Sequence, residues 1–244
     1  MAKADQRVAP LDFNDDETNG QEQTVSYDIY GVPAVFLLKT KIPDSLTQTL
    51  NEHLDCLLKS DSKQSHAGRL AGRIKRGQQL TLDPECSEMR RFSELMTGLG
   101  ADYYNHFQSA MSCQLPRKKI LVDELWSVHS FAGDYNPIHD HSNLNTGSLS
   151  FAGWTQTPAS WEDGSGTSEQ RGELGGSIAF LWGPTSSVGL HNLRPPAGLS
   201  IKPEPGVFYL FPSWLEHCVY PFDGAGERRT IAGNLAAIDL EDGP

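Results

Sequence analysis

Two stretches in the first half of the chain repeat their hydrophobic residues with the period of an α-helix. The first stretch follows Pro43-Asp44-Ser45 and the second follows Asp83-Pro84. The repeating hydrophobic positions are Leu46, Leu50, Leu54, Leu57 and Leu58, and then Met89, Phe92, Leu95, Leu99, Tyr103 and Phe107. This spacing places them on one helix face. We predict two amphipathic helices, the first capped by Asp44 or Ser45 and the second by Asp83.

Short apolar runs rich in β-branched residues fill most of the remaining chain. Val25 to Ile42 predicts one or two strands, broken at Gly31–Pro33. From Leu115 onward, strand-like runs recur at intervals of about ten residues between Gly, Pro, Asn and Asp. They occupy 120–122, 125–131, 148–157, 177–182, 199–201, 206–211 and 229–237. This pattern is typical of a sandwich or barrel. We predict a mainly β fold with helical additions, a double-stranded β-helix (jelly roll, cupin-like) buttressed by N-terminal helices.

The domain organisation follows from the same pattern. Residues 1–24 are acidic and poor in apolar positions, which predicts a flexible arm. Residues 25–244 are expected to form a single domain, with a support region at 25–118 and the jelly-roll core at 119–240. The Arg/Lys cluster at 69–76 is either a solvated loop covering a barrel edge or a gating loop that brings a cation to the pocket. Residues 159–176 are expected to form a surface insertion.

Composition narrows the class of protein. The 244 residues carry a net charge of −11, which argues against a nucleic-acid or anionic-membrane surface. No apolar run is long enough to span a bilayer and no signal segment opens the chain, so we expect a cytoplasmic protein. The cysteines, Cys56, Cys86, Cys113 and Cys218, show no CxxC spacing, and we expect free thiols. The oligomeric state is left open.

The strongest chemical feature is a pair of histidines around one aspartate. In an extended segment His139 and His141 leave the same face, about 6–7 Å apart at Cα, while Asp140 leaves the other. Neutral imidazoles are good ligands for Fe, Zn or Cu. A third ligand is needed, and His217, far along the chain, is the best candidate. In a β-barrel, a metal site can take two ligands from one strand and a third ligand from a neighbouring strand that lies far along the sequence.

The remaining histidines, one cysteine and one tryptophan are weaker candidates for the metal site. A lone histidine is more often structural than a ligand, which applies to His53, His66, His106, His129 and His191. His129 takes second place because its strand could line the barrel. Cys218 follows His217 and should point away from it. Trp126 is either core or pocket wall.

Four segments resemble a known family. They are Asn136-Pro-Ile-His-Asp-His141, Leu149-Ser-x-x-x-Trp154-x-x-x-Pro158, the run from Gly206 to His217, and Gly226-Glu-Arg-Arg-Thr-Ile-Ala-Gly-Asn234. Together they look like the 2-oxoglutarate/Fe(II) oxygenase family of bacteria and phages that is related to the prolyl hydroxylases. The resemblance covers about residues 120–236 in register.

The resemblance implies a jelly-roll core that binds Fe(II) and uses 2-oxoglutarate as cosubstrate. It places the metal ligands at His139, His141 and His217. It places the partner of the distal carboxylate of 2-oxoglutarate at Arg228 and a nearby hydroxyl at Thr230. Trp154 stands where the family usually has Tyr. The superfamily's usual first element is His-x-Asp or His-x-Glu, whereas this chain has His-Asp-His, so Asp140 is an alternative ligand if the segment is not a regular strand.

The residues themselves support the same cosubstrate site. Oxygen activation at Fe(II) needs protein ligands on one face and open positions on the other. A guanidinium matches a carboxylate because it offers two parallel N–H bonds. Strand alternation places Arg228, Thr230, Ala232 and Asn234 on one inward face, with Arg229 outward as a surface charge. The alternative for Arg228 is a surface ion pair with Glu227 or Asp223.

Two functions therefore remain. The favoured one is a 2-oxoglutarate-dependent dioxygenase that hydroxylates a C–H bond while 2-oxoglutarate is decarboxylated to succinate. Its partners would be O₂ and a small-molecule or peptide substrate. The alternative is a cupin-like three-His metal-binding protein with a hydrolase, isomerase or binding function. Arg228 and Thr230 on one strand face favour the oxygenase.

Overall fold

The computed structural model describes residues 7–11, 23–32, 35–66, 74, 77–111, 114–142, 149–161, 174–183 and 198–240. Within these ranges the chain forms twelve strands and two α-helices. The strands are β1 Arg7–Leu11, β2 Gln23–Val32, β3 Val35–Lys41, β4 Gln78–Thr81, β5 Lys118–Ser130, β6 Asn136–His139, β7 Leu149–Gln156, β8 Ile178–Leu181, β9 Gly198–Ile201, β10 Val207–Pro212, β11 Glu216–Val219 and β12 Arg228–Asp239. The helices are α1 Asp44–Lys59 and α2 Ser87–Ala110.

The strands form two antiparallel sheets. The larger sheet has eight strands in the order β1-β2-β3-β10-β7-β12-β5-β4. The smaller sheet has four strands in the order β6-β11-β8-β9. Strands distant in sequence are neighbours in both sheets, as a rolled pair of sheets requires. The prediction of a mainly β jelly roll with helical additions is confirmed.

Both helices share one hydrophobic core with the larger sheet. Leu46, Leu50 and Leu54 are the buried residues of α1, at the spacing that predicted the helix. On α2, the ring of Phe92 lies 5.8 Å from that of Phe151 and 5.0 Å from that of Phe208. These contacts join the helix to β7 and β10. The helices therefore cover one face of the sheet and leave its other face for the smaller sheet.

The predicted helix caps were wrong in both cases. The N-cap position of α1 is Pro43, and no side chain caps the helix. Helix α2 begins at Ser87, later than predicted, with Cys86 at its N-cap. The carboxylate of Asp83 instead accepts a hydrogen bond from the backbone N–H of Glu85 at 2.9 Å. It thus stabilises a turn before the helix, a role open to the same side chain.

A second core fills the space between the two sheets. It contains Phe180 of β8 and Phe211 of β10, whose rings lie 4.8 Å apart. Trp154 and Tyr209 belong to the same cluster, with ring centroids 6.3 Å apart. This aromatic packing closes one part of the space between the sheets and leaves a cavity in the rest.

Several further predictions concern the periphery. Within the arm predicted for 1–24, Arg7–Leu11 forms β1, which pairs with β2. Backbone pairing along a sheet edge orders a strand without the burial of many apolar side chains. The cluster at 69–76 lies outside the described residues, apart from Ile74. So does most of the insertion expected at 159–176, namely residues 162–173. Cys56, Cys86 and Cys218 are free thiols.

Neither described helix combines the length and apolar character needed to cross a membrane.

Candidate metal and cosubstrate site

The pairing of β6 with β11 brings two of the predicted histidines face to face. His139 and His217 are directly opposed in the antiparallel register. His141 lies just beyond the end of β6, where its backbone N–H donates to the carbonyl of Ser213 at 2.9 Å. The chain therefore continues alongside the turn between β10 and β11, and His141 lies on the same side as His139 and His217.

The three imidazoles converge. One ring nitrogen of each histidine lies within 4.8 Å of the others. The Nε2 atoms of His141 and His217 are 3.3 Å apart. Two nitrogens that each lie about 2.1 Å from one ion, at an angle of about 90–105°, are separated by about 3.0–3.3 Å. The observed distance therefore fits two ligands of a single ion.

Hydrogen bonds fix the tautomer of two of the rings. Nδ1–H of His139 donates to the carbonyl of Pro137 at 2.7 Å. Nδ1–H of His217 donates to the carbonyl of Leu215 at 3.0 Å. Since a carbonyl oxygen can only accept, Nδ1 carries the proton in both rings. Each Nε2 is left with its lone pair, as a metal ligand requires.

Burial keeps the imidazoles of His141 and His217 neutral. Burial, followed by the neighbouring His139, lowers the pKa of His141 to about 4. The same two causes, together with His141, lower the pKa of His217 to about 3. A neutral imidazole at pH 7 offers a lone pair without first losing a proton, which favours metal binding.

The alternative ligands lie elsewhere. Asp140 is exposed, and its carboxylate accepts a hydrogen bond from the backbone N–H of Ser142 at 2.9 Å. Cys218 and His129 are also absent from the cluster of potential ligands found in the described residues. His129 is buried, with Nδ1 bonded to Glu227 and Nε2 2.9 Å from the hydroxyl of Ser127. Its role is in the core, as the default interpretation expected.

A cavity between the sheets joins the three histidines to the other predicted site residues. Arg228, Thr230 and Ala232 of β12 line it together, as strand alternation predicted. Asn234, predicted for the same face, is not among the lining residues and bonds to Ser150 and Glu124 instead. The rest of the lining is mainly apolar and aromatic, and includes Trp126, Phe151, Trp154, Ile178 and Phe211. The site thus has three imidazoles that could bind a metal ion and one cation, within one largely apolar wall.

Arg228 is buried with part of its donor capacity unused. Its guanidinium donates to the carbonyl of Gly176 at 2.8 Å and to the hydroxyl of Ser130 at 3.3 Å. Its Nε is buried and has no hydrogen-bond partner among the described residues. Burial lowers the pKa of Arg228 to about 10, so it is still a cation at pH 7. A buried cation with a free donor fits an anionic group in the cavity. The surface ion pair with Glu227 or Asp223 was the wrong alternative.

Trp154 and Thr230 are cross-strand partners on β7 and β12. Both line the cavity, and Trp154 is almost fully buried. The indole makes an edge contact with Tyr209. The larger ring at this position therefore fills space in the cavity wall.

The structure corrects the prediction for Arg229, which is buried and is not a surface charge. It does leave the sheet on the face opposite Arg228, but helix α1 covers that face. Its guanidinium bonds both carboxylate oxygens of Glu227 at 2.9 Å and the carboxylate of Asp55 on α1 at 2.8 Å. Strand alternation predicted the correct face for Arg229, and the packing of α1 on that face explains why the side chain is buried.

The sequence missed three residues around the cavity. Trp126 was left undecided between core and pocket wall, and it lines the cavity. Asn136 lines it too, although only His139 and His141 were expected to face inward. The irregular pairing between His217 and Val219 changes the alternation along β6 and explains this. His66 stacks on Trp126, which nothing in the sequence pattern indicated.

Comparisons with known proteins agree with this architecture. Residues 124–234, somewhat less than half of the chain, match the family model described as "Putative 2OG-Fe(II) oxygenase". No curated protein sequence matches the chain. A prolyl-4-hydroxylase from Pseudomonas putida is similar in structure, with 14% identity and a TM-score of 0.51, covering 82% of this chain and 91% of that one.

Two further solved structures share the fold. The non-heme alpha ketoglutarate dependent epimerase SnoN from nogalamycin biosynthesis has 11% identity and a TM-score of 0.52, covering 82% of this chain and 78% of that one. HygX from Streptomyces hygroscopicus, crystallised with nickel, 2-oxoglutarate and hygromycin B, has 10% identity and a TM-score of 0.50, covering 82% of each chain. At these identities the similarity shows the fold.

A jelly roll with three converging imidazoles defines a metal-dependent protein of the cupin-like class. Residues 124–234 narrow this class, because they match the model of the 2OG-Fe(II) oxygenase family. This match and the three-histidine cluster together indicate a 2-oxoglutarate-dependent oxygenase, for which Fe(II) and 2-oxoglutarate are the cofactors and O₂ is the oxidant. Of the two functions that the sequence left open, the family match supports the oxygenase over the non-redox protein.

Proposed function

We propose that His139, His141 and His217 hold the Fe(II) ion, and that Arg228 and Thr230 bind 2-oxoglutarate in the same cavity. One observation carries the proposal: three imidazoles with converging ring nitrogens share a cavity with a buried arginine whose Nε has no partner. The buried Asp134 already balances part of the charge of Arg228, but the unpaired Nε is still costly to bury, so a bound carboxylate would recover part of that cost. Trp154 is the wall beside this carboxylate.

The protein residues have separable roles in this site. The imidazoles present the lone pairs of their ring nitrogens to the ion, and the carbonyls of Pro137 and Leu215 fix the orientation of His139 and His217. Arg228 holds the distal carboxylate, and Thr230 offers a hydroxyl beside it. The apolar wall excludes water from the site. When bound, the iron supplies the oxygen chemistry that these side chains cannot perform.

We further propose that the reaction is hydroxylation of a C–H bond in a peptide or small molecule. The fold similarity to a prolyl-4-hydroxylase and to HygX with bound hygromycin B supports both substrate classes. The test incubates the iron-loaded protein with 2-oxoglutarate and pools of peptides or small metabolites. A product heavier by one oxygen atom, formed with succinate, is expected. Oxidised products without that oxygen would contradict hydroxylation.

The cosubstrate role is tested by binding under anaerobic conditions. Fe(II) and 2-oxoglutarate together should give the weak visible band of a chelated oxo-acid. Arg228→Gln should weaken 2-oxoglutarate binding by about 1.5–3 kcal/mol, the cost of a lost charged hydrogen-bonding partner, and leave Fe(II) binding intact. Thr230→Val, which removes only a hydroxyl, should cost about 0.5–1.5 kcal/mol. Equal losses of iron and 2-oxoglutarate binding in Arg228→Gln would remove Arg228 from this role.

A further inference from the structure

His141 differs from the other two histidines of the cluster. Nδ1 of His139 and Nδ1 of His217 each donate to a backbone carbonyl. Within the part of the chain that the structure describes, no hydrogen bond of this kind is found for Nδ1 of His141. Histidine ligands are normally oriented by such a bond from the second ring nitrogen. Another contact must therefore orient the ring of His141.

That contact is the indole of Trp126. The two ring centroids are 5.6 Å apart and the planes are inclined by 30°. Trp126 lies on β5, is almost fully buried and pairs with Ala232 of β12 on one side and Thr81 of β4 on the other. A tryptophan held between two paired strands has little freedom to move. It offers a fixed surface against which the imidazole can rest.

His66 stacks on the same indole. Its ring centroid is 4.9 Å from that of Trp126 and the planes differ by only 3°. The residue is buried, its backbone N–H donates to the carbonyl of Gln79 at 2.9 Å, and its Nδ1 lies 3.3 Å from the hydroxyl of Thr81. The indole of Trp126 thus contacts the rings of both His66 and His141, and we call these three contacting rings the stack; His141 belongs to the three-histidine cluster.

We infer that His66 and Trp126 are positioning residues for His141. The inference rests on the proposed ligand set. Trp126 limits rotation of the imidazole by face contact, and His66 limits displacement of the indole. The stack does for His141 what a carbonyl acceptor does for His139 and His217. Neither His66 nor Trp126 is required to touch the ion or the cosubstrate.

The first measurement is the affinity for Co(II), used as the probe without 2-oxoglutarate or O₂. His66→Leu removes the flat ring and should weaken Co(II) binding about tenfold, the lower end of the range for residues behind a ligand. His66→Phe keeps a flat ring and should bind within about twofold of the wild type. Trp126→Leu should weaken binding by up to about 100-fold. His53→Leu, at a histidine on α1 outside the stack, is the matched control and should bind as the wild type does.

The second measurement separates positioning from general stability. In the Co(II)-bound wild type, each coordinated imidazole should give a strongly shifted N–H proton signal by NMR. His66→Leu should shift or broaden one signal, that of His141, and leave the two signals of the carbonyl-bonded rings unchanged. A purely structural role for His66 would alter all three signals together or only the melting temperature, and either result would overturn the inference.

Co(II) binding by the wild-type protein separates a failure of the positioning role from a failure of the proposed ligand set. If wild-type protein binds no Co(II), the ligand set itself is wrong and the inference is lost with it. If the wild type binds Co(II) and His66→Leu retains the same affinity and three unchanged signals, the ligand set stands and the positioning role is wrong. Loss of binding in His66→Phe equal to that in His66→Leu would also contradict stacking as the cause.

Discussion

Glu227 connects two buried side chains, and replacing it with glutamine tests how much this arrangement stabilises the fold. Its carboxylate accepts from Nδ1 of His129 and from two nitrogens of Arg229. The side chains of His129, Arg229 and Glu227 are 2%, 4% and 14% exposed. In Glu227→Gln, Arg229 would keep its hydrogen bonds to the neutral Asn51, and its remaining carboxylate partner in the described residues would be Asp55, which is largely exposed. The variant therefore leaves a buried guanidinium with a weaker, more solvated partner.

The pKa of Glu227 gives the size of the effect. Burial raises the pKa, but the hydrogen bonds from His129 and Arg229 outweigh it and lower the pKa from 4.5 to about 2. A carboxyl group with this change contributes up to about 3 kcal/mol at pH 7, since each tenfold change in proton affinity is worth about 1.4 kcal/mol. Partial exposure screens some of it, so we expect Glu227→Gln to lose about 2–3 kcal/mol.

The sign of the pH dependence follows from the lowered pKa. The contribution of Glu227 is complete above its unfolded pKa of 4.5 and is lost as the pH falls toward about 2. Urea unfolding of the wild type and of Glu227→Gln at several pH values measures the difference. It should be constant between pH 7 and about pH 5 and shrink below that. Glu204→Gln, which breaks an exposed pair with Lys41, is the control and should leave stability unchanged. A difference below about 1 kcal/mol at pH 7, or one independent of pH, would refute the reasoning.

Two further predictions concern the cores. Gly153→Ala should lower the free energy of unfolding by about 1–3 kcal/mol, because its Cβ would lie 2.2 Å from the buried ring of Phe208. Gly98→Ala, on α2 with open space around it, should instead raise the free energy of unfolding by about 0.5–1 kcal/mol in the same urea titration. Equal effects of the two substitutions would contradict the packing argument. Tyr103→Phe should cost about 1–2 kcal/mol by the same measurement, because the hydroxyl donates to the carbonyl of Phe36 at 2.9 Å; a neutral result would mean that this buried carbonyl finds another donor.

The parts of the fold that the sequence predicted are those governed by local periodicity. The Leu46, Leu50, Leu54 stripe predicted α1, and the runs from 148–157 and 229–237 predicted β7 and β12 to within a few residues. Helix starts were less well predicted. Asp83 satisfies the rules for a helix cap and for a turn equally well, and in the structure it accepts a hydrogen bond from Glu85 in a turn before α2.

Arg229 shows what periodicity cannot supply. Alternation along β12 correctly separates the faces of Arg228 and Arg229, but it does not say what covers each face. Asp55, the partner of Arg229, lies 174 positions away on α1. Similarly, the stack of His66 on Trp126 depends on a short bridge between Ser65 and Leu80, which no local pattern encodes. Contacts between elements distant in sequence therefore decided both features.

The candidate site was predictable to a greater degree because its residues occur in a distinctive motif. The spacing of His139 and His141 indicated a shared face, and the resemblance placed His217 and Arg228. The structure brings all four to one cavity. Asn136 was missed because the irregular pairing of β6 with β11 shifts its side chain inward, and backbone irregularities of this kind leave no mark in the hydrophobic pattern.

The central claim is that three imidazoles, and no carboxylate, hold the iron. Anaerobic equilibrium dialysis with Fe(II) tests it directly in the wild type and in His139→Ala, His141→Ala, His217→Ala and Asp140→Asn. We expect one Fe(II) per chain in the wild type and in Asp140→Asn, because the Asp140 carboxylate bonds the N–H of Ser142 outside the cluster. Each histidine variant should lose more than about 100-fold in affinity, exceeding the effect of residues behind a ligand. Tight binding in any histidine variant, or its loss in Asp140→Asn, would contradict the claim.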